Sequence, residues 1–252
     1  MNKPLPISCF IIAENESDRI GKTIRSVSDL VEEIIVVDSG SSDGTPKIAE
    51  ELGAKVFFND WKGYGPQKRF GEECCNNNWI LNLDADEHLS DDIKNEIYEI
   101  FQDYQPKFHF YSLKVVPIYP NWSRPRLLSA HHKCVRLYNK NYGRFSDSPV
   151  HDSVQVAQHQ VKNLKKPVFH NSVRSIKHLI EKENNYIMLQ SLTLKGKNKF
   201  LLFIRLFTEL PFAFFKYYII RRHFTGAFSG LITAGILSYF RWKRIFVLFK
   251  KN

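Results

Sequence analysis

The sequence predicts an α/β fold built on a mostly parallel central sheet. Three observations carry that prediction. Apolar runs of strand length alternate with helix-patterned segments over the first hundred residues, several of these runs end in carboxylates, and Asp84-Ala85-Asp86-Glu87 follows directly on the apolar run Trp79-Ile80-Leu81-Asn82-Leu83. Strands alternating with helices pair in parallel and are covered on both faces. Ligands of such open sheets bind beyond the carboxyl edge. Carboxylates at i and i+2 that leave a strand together there suit a hard cation, Mg²⁺ or Mn²⁺, which usually also holds substrate phosphates. An isolated Asp-x-Asp is most often only a solvated turn, so its context has to carry the assignment.

The elements follow in order. Ile7–Ala13 is a short apolar strand, and Ser17 is placed to cap a helix running to about Leu30. Glu33–Val37 is a second strand ending at Asp38, and Thr45-Pro46 is an N-cap with proline at the first helical position. That helix ends at Leu52, with Gly53 in the position that favours a left-handed residue. Lys55–Phe58 is a third strand, Gln67–Cys75 a helix and Trp79–Leu83 a fourth strand. Ser90 caps a helix whose Ile93, Ile97, Ile100 and Phe101 share one face. Phe108–Val116, Lys133–Tyr138, Val150–Val156 and Pro167–Val173 read as short strands between Pro-, Asn- and Ser-rich loops, followed by a helix from about Ser175 to Leu194.

Composition narrows the classes. A chain of 252 residues with 43% hydrophobic and 25% charged residues is an ordinary globular protein with room for one large core. Its four cysteines include the adjacent pair Cys74-Cys75 and no Cys-x-x-Cys, which argues against a disulfide framework and a zinc site. The apolar run at Ile7–Ile12 is too short for a signal-peptide core and Glu14 follows at once, so the expected location is cytoplasmic. The net charge of +10 is concentrated in the last fifth. Residues 196–252 hold eleven Lys and Arg against the single acid Glu209, and the rest of the chain is balanced. A basic segment of this kind indicates nucleic acid or an anionic membrane surface. No nucleic-acid-binding module accompanies it, so no nucleic-acid partner is expected.

Four constellations carry chemistry. The first is Ala13-Glu14-Asn15-Glu16 after strand one. The second is Val36-Val37-Asp38-Ser39-Gly40-Ser41-Ser42-Asp43-Gly44-Thr45, where a strand ends in a carboxylate and a small-residue turn leads into a helix. Free amides and small side chains there admit an anion or a base edge, and taken alone the segment also fits a βα turn capped by Asp43 and Thr45. In the third, Gly63-Tyr64-Gly65-Pro66-Gln67-Lys68-Arg69, the cations are placed either to reach a diphosphate or to decorate a solvated turn. Asp84-Ala85-Asp86-Glu87 is the fourth.

In tandem and in this order, the four resemble the inverting nucleotide-sugar glycosyltransferases of family two, which have the GT-A (Rossmann-like) fold. Gly63–Lys68, Asp84–Glu87, Val150-His151-Asp152 and the C-terminal Phe-, Tyr- and Arg-rich helices with Gly226 and Gly230 look more narrowly like lipopolysaccharide core glycosyltransferases, which place a β-glucosyl or related residue on inner-core heptose. The resemblance implies a nucleotide-sugar donor, a UDP-hexose, and a lipid-linked saccharide acceptor. It implies that Ala13, Glu14 and Asp38 border uracil and ribose, that Asp84 faces ribose or donor sugar beside Ala85, and that Asp86 holds Mg²⁺ or Mn²⁺ on the phosphates. Asp152 is the implied general base. Ser39 stands where many members carry a second Asp, Glu14 where Tyr or Lys is common, and Asp152 where the nearest relatives often have Glu. His170 and His151 each read first as satisfied structural histidines; the functional alternative makes His170 a metal or phosphate ligand and has His151 orient the base or contact the acceptor.

The chemistry explains the need for these groups. A sugar hydroxyl is a poor nucleophile, so a carboxylate must take its proton, typically for a gain of ~10²–10⁴-fold. The leaving diphosphate gathers charge that a cation such as Lys68 offsets. A transferase acting on a polyprenyl phosphate would need no such base, and a membrane-tethered scaffold with a degenerate nucleotide pocket would need neither.

The expected division is a catalytic domain over 1–195 and a basic, aromatic, amphipathic helical segment over 196–252. Within the latter, His223–Phe240 lacks any charged residue over 18 positions, the lower limit for a spanning helix. Cations on both sides and Phe, Tyr and Trp beside Arg and Lys fit interfacial helices better. Each basic residue near an anionic leaflet contributes about 1 kcal/mol. The expectation is a peripheral protein on the inner face of the cytoplasmic membrane, and helices packed on the catalytic domain are the alternative.

Overall fold

The computed structural model describes residues 3–102, 106–149, 152–156, 158, 160–193 and 198–251. These separate into two units, one formed by 1–116 with 131–170 and the other by 117–130 with 171–252. The second unit therefore begins well before Gly196, where the charge balance changes.

The first unit runs β1 (Leu5–Ala13), α1 (Ile20–Val27), β2 (Val31–Asp38), α2 (Thr45–Glu51), β3 (Lys55–Phe58), α3 (Tyr64–Cys74), β4 (Trp79–Asp84), β5 (Glu87–Leu89), α4 (Asp91–Phe101), β6 (Phe110–Pro117), β7 (His132–Asn139) and β8 (Val161–His170). The sheet order is β3-β2-β1-β4-β7-β6-β8-β5. β3, β2, β1 and β4 pair in parallel, whereas β7 runs antiparallel to β4 and β6, and β5 antiparallel to β8.

β1 and β2 read as continuous apolar runs because both of their faces are buried. Alternate residues enter opposite cores. Ile7, Cys9, Ile11, Ile34 and Val36 pack with Ile20 and Ile24 of α1 and Ile93 and Ile97 of α4. Phe10, Ile12, Ile35 and Val37 pack on the other face with Cys75, Tyr138 and Phe145. The register then aligns the carboxyl ends, with Ala13 opposite Asp38 and Ile12 opposite Asp84.

Several expectations shift. Ser17 does not cap α1, which starts at Ile20 after Arg19 without a side-chain cap. The Ser17 amide instead donates to Asp43 at 3.0 Å. The expected strand over Val150–Val156 is a single bridge between Phe145 and Val154, with Val150 and His151 outside the described residues. The expected Pro167–Val173 strand starts earlier, at Val161, and ends at His170. β5 was not expected at all, since three residues carry too little pattern to show a period.

The second unit holds α5 (Ile176–Thr193), α6 (Lys199–Phe215), a π-turn at Lys216–Ile220, a 3₁₀ turn at His223–Gly226 and α7 (Ala227–Lys251). α6 and α7 pack through Leu202 and Leu206 against Ile245, Leu248 and Phe249. Among the described residues, no helix is long and apolar enough to cross a membrane.

Candidate active site

A cleft of about 340 Å³ opens at the carboxyl edge of the parallel strands. Ala13, Glu14, Ser39, Asp84, Ala85, Asp86 and His170 line it, joined by Ile12, Glu16, Trp61 and Tyr64. Seven residues chosen from sequence therefore meet on one surface. Asp38, Lys68 and Asp152 do not line it.

Asp38 shapes the cleft from behind. Its Oδ2 accepts the amides of Gly40 and Ser41, each at 2.9 Å, which folds the turn after β2. Gly40 takes a φ of +104° there, a region a side chain rarely adopts. The next stretch ties to the turn after β1: the Asn15 amide donates to Ser41 Oγ and the Glu16 amide to Thr45 Oγ1, both at 2.8 Å. The expected Thr45 cap is not seen: α2 starts at Thr45 after Gly44, without a side-chain cap, and Asp43 accepts from the Thr45 amide at 3.1 Å.

Lys68 is held elsewhere. Its side chain is 1% exposed, and its Nζ lies 3.0 Å from Asp84 Oδ1 and 2.6 Å from Asp152 Oδ2. The ammonium thus links the two carboxylates. The approach depends on the glycines before it. Tyr64 donates its amide to Pro149 O at 3.1 Å, and a Cβ on Gly65 would lie 2.2 Å from Ser148 O. Arg69 points away and donates to Phe145 O at 2.9 Å. Gln67, fully buried, donates to Ser39 Oγ at 2.9 Å.

β7 brings in Arg136, which lies mid-strand between the Val135 and Leu137 positions. Arg136 is buried and donates to Asp84 Oδ2 at 2.7 Å, Glu87 Oε1 at 2.9 Å and Asn82 Oδ1 at 2.5 Å. Burial alone would raise Asp84, but the Arg136 and Lys68 cations outweigh it and hold the carboxyl well below its ordinary value. Burial raises Glu87, which sits beside the ionised Asp84.

The pairing of β5 with β8 sets Glu87 opposite His170. That register brings His170 Nε2 within 3.2 Å of Asp86 Oδ2. Arg19 Nη1 lies 3.3 Å from the same oxygen. Burial opposes ionisation of both partners, yet their mutual hydrogen bond lowers Asp86 and raises His170.

A carboxylate and an imidazole side by side on the cleft wall fit a divalent cation that takes its remaining ligands from phosphate and water. Among the described residues, no group of three His, Cys, Asp or Glu would hold one unaided.

Sequence reasoning missed Arg19, Arg136 and Trp61. A charge in the middle of an apolar strand was the available signal for Arg136. For Trp61 it was an indole beside the Gly-Tyr-Gly loop. Trp61 and Tyr64 pack edge to face at 4.9 Å and are 46% and 53% exposed, which makes an aromatic wall open to a ligand.

The family profile described as Glycosyl transferase family 2 matches residues 8–153. The chain belongs to glycosyl transferase family 2. An uncharacterized glycosyltransferase of Rickettsia felis is 41% identical over 248 residues, which is 95% of this chain and 88% of that protein. A second, from Rickettsia conorii, is 40% identical across 97% of this chain and 91% of its own length. A lipopolysaccharide core biosynthesis glycosyltransferase of Rhizobium meliloti matches over 101 residues at 38% identity, 38% of this chain and 37% of its own. The crystal structure of S. aureus TarS 1-349 in complex with UDP-GlcNAc superposes with a TM-score of 0.51 at 15% identity, covering 75% of this chain and 65% of that one. The likeness extends to the fold: this family 2 glycosyltransferase has the α/β architecture with C-terminal helices expected of it.

Proposed function

We propose that this glycosyltransferase moves a hexose from a UDP-sugar to a lipid-linked saccharide of the lipopolysaccharide core type, with inversion, at the inner face of the cytoplasmic membrane. The observation that carries the reading is the convergence of Ala13, Glu14, Ser39, Asp84, Asp86 and His170 on one cleft at the carboxyl edge of the sheet. The partial match to a lipopolysaccharide core enzyme supports the acceptor class, and the basic C-terminal segment supports an anionic membrane as partner.

In this reading Ala13, Glu14 and Ser39 border the nucleoside, and Trp61 and Tyr64 offer a face on which a base or sugar can stack. Asp38 acts through the turn it folds. Asp84, fixed by Arg136 and Lys68, faces ribose or donor sugar beside Ala85. Asp86 and His170 would hold Mg²⁺ or Mn²⁺, which supplies charge to offset that building on the leaving diphosphate. Asp152 takes the proton of the attacking hydroxyl. Lys68 does not reach for the diphosphate but positions Asp84 and Asp152 against each other.

One observation favours a second reading. The Lys68–Asp152 contact at 2.6 Å engages the base in an ion pair. A polyprenyl phosphate acceptor is already anionic and leaves that pair intact. Asp152→Asn separates the two in a panel of nucleotide sugars and acceptors. With a sugar acceptor, turnover should fall by ~10²-fold or more. Near-normal turnover removes the base assignment and favours the phosphate acceptor.

A further inference from the structure

α6 has two unlike faces. Leu202, Leu206 and Ala213 turn inward, the first two against α7. Outward stand Phe200, Phe203, Phe207, Leu210, Phe212 and Phe215, which are 70%, 50%, 71%, 44%, 70% and 54% exposed. At 3.6 residues per turn these cover about half of the helix circumference, and no charged side chain falls among them. Soluble proteins rarely leave so broad an apolar face in water, and such patches mark interaction sites.

Charge identifies what covers it. Lys199 stands at one end of the face, and Lys216, Arg221 and Arg222 at the other. The one acid of the segment, Glu209, is removed from the surface: it is buried, 2.7 Å from Arg205 Nη2 and in contact with Arg241. No negative charge is therefore presented by 198–251, while cations rim an aromatic face. That combination matches the interface of an anionic bilayer, with rings at the acyl boundary and cations on the phosphates.

We propose that α6 lies in the plane of an anionic lipid surface with its Phe200-Phe203-Phe207-Phe215 face inserted. This deepens the lipid-linked acceptor reading above by naming the docking element, but it is tested independently of it. The 252-residue chain is sedimented with phosphatidylcholine vesicles and with vesicles containing phosphatidylglycerol, alongside Phe203→Glu/Phe207→Glu.

The wild type should bind the anionic vesicles, and the double variant's partition should fall on the order of 100-fold. Its circular dichroism and its rate of UDP-sugar hydrolysis should be unchanged, so failure of the glycosyltransferase reading would show separately as absent hydrolysis. Because both residues are already exposed, the variant is expected to fold. Equal vesicle binding by both proteins would overturn the proposal. So would a wild-type dimer that ignores vesicles and becomes monomeric in the variant, since the face would then join two copies.

Discussion

Arg136→Met removes a single buried cation on which two acids depend. Asp84 retains Lys68 at 3.0 Å, so it keeps a counter-charge. Glu87, 1% exposed, keeps the Asp84 amide at 3.1 Å and the neighbouring His170, but among the described residues no cation in direct contact. Stranding one member of a buried pair costs about 3–5 kcal/mol. For a chain of this length each kcal/mol shifts Tm by roughly 2–4 °C, so a drop on the order of 10 °C is expected. Methionine fills much of the same volume, which limits any cavity contribution. Adding Glu87→Gln should restore most of the loss, because the stranded charge is then gone. Calorimetric melting of wild type, single and double variants measures this. A loss below ~1 kcal/mol, or no recovery in the double variant, refutes the view that Arg136 neutralises this cluster.

Two further outcomes follow from single residues. Burial, aided by Lys22, holds His88 at about 4, whereas the unfolded chain titrates it near its ordinary value. The unfolded state therefore gains the proton first as pH falls, so stability is complete above pH ~6.5 and is lost down to pH ~4. At pH 5 the loss is about 2 kcal/mol, and melting curves of His88→Phe should show a flatter pH dependence between 7 and 5. A slope equal to wild type would remove His88 from that account. Gly65→Ala places a methyl 2.2 Å from Ser148 O and 2.5 Å from Ser146 O, both backbone atoms that must move. It should cost about 1–3 kcal/mol and lower turnover by shifting the segment that carries Asp152. Wild-type stability and turnover together would contradict the packing described.

The cleft was legible in sequence wherever it is built from strand ends. β1, β2 and β4 are apolar runs that stop at Ala13, Asp38 and Asp84, and parallel pairing sets such ends side by side without further information. What sequence could not show is where long side chains go once non-local pairings form. Helix position alone puts Lys68 either at a diphosphate or on a solvated turn. Its partner Asp152 is 84 residues away, and the loop that brings it near is set by close packing on Gly63 and Gly65. Arg136 was hidden for the same reason, since only the β4–β7 pairing sets it beside Asp84. β5 was concealed by its length, yet it is the strand that brings His170 to Asp86. β8 was half concealed because Lys162, Asn163, Lys165 and Lys166 break the apolar pattern over its first half.

Metal-dependent nucleotide binding tests the central claim most directly. Titration calorimetry of the 252-residue chain with UDP, with and without Mn²⁺, is compared with Asp86→Asn. UDP should bind the wild type at least about tenfold more tightly with the metal, matching the ~1.4 kcal/mol or more expected of one charge-assisted contact. The variant should lose that increment. Binding that ignores Mn²⁺, or a variant that keeps the full increment, would contradict the assignment of this cleft.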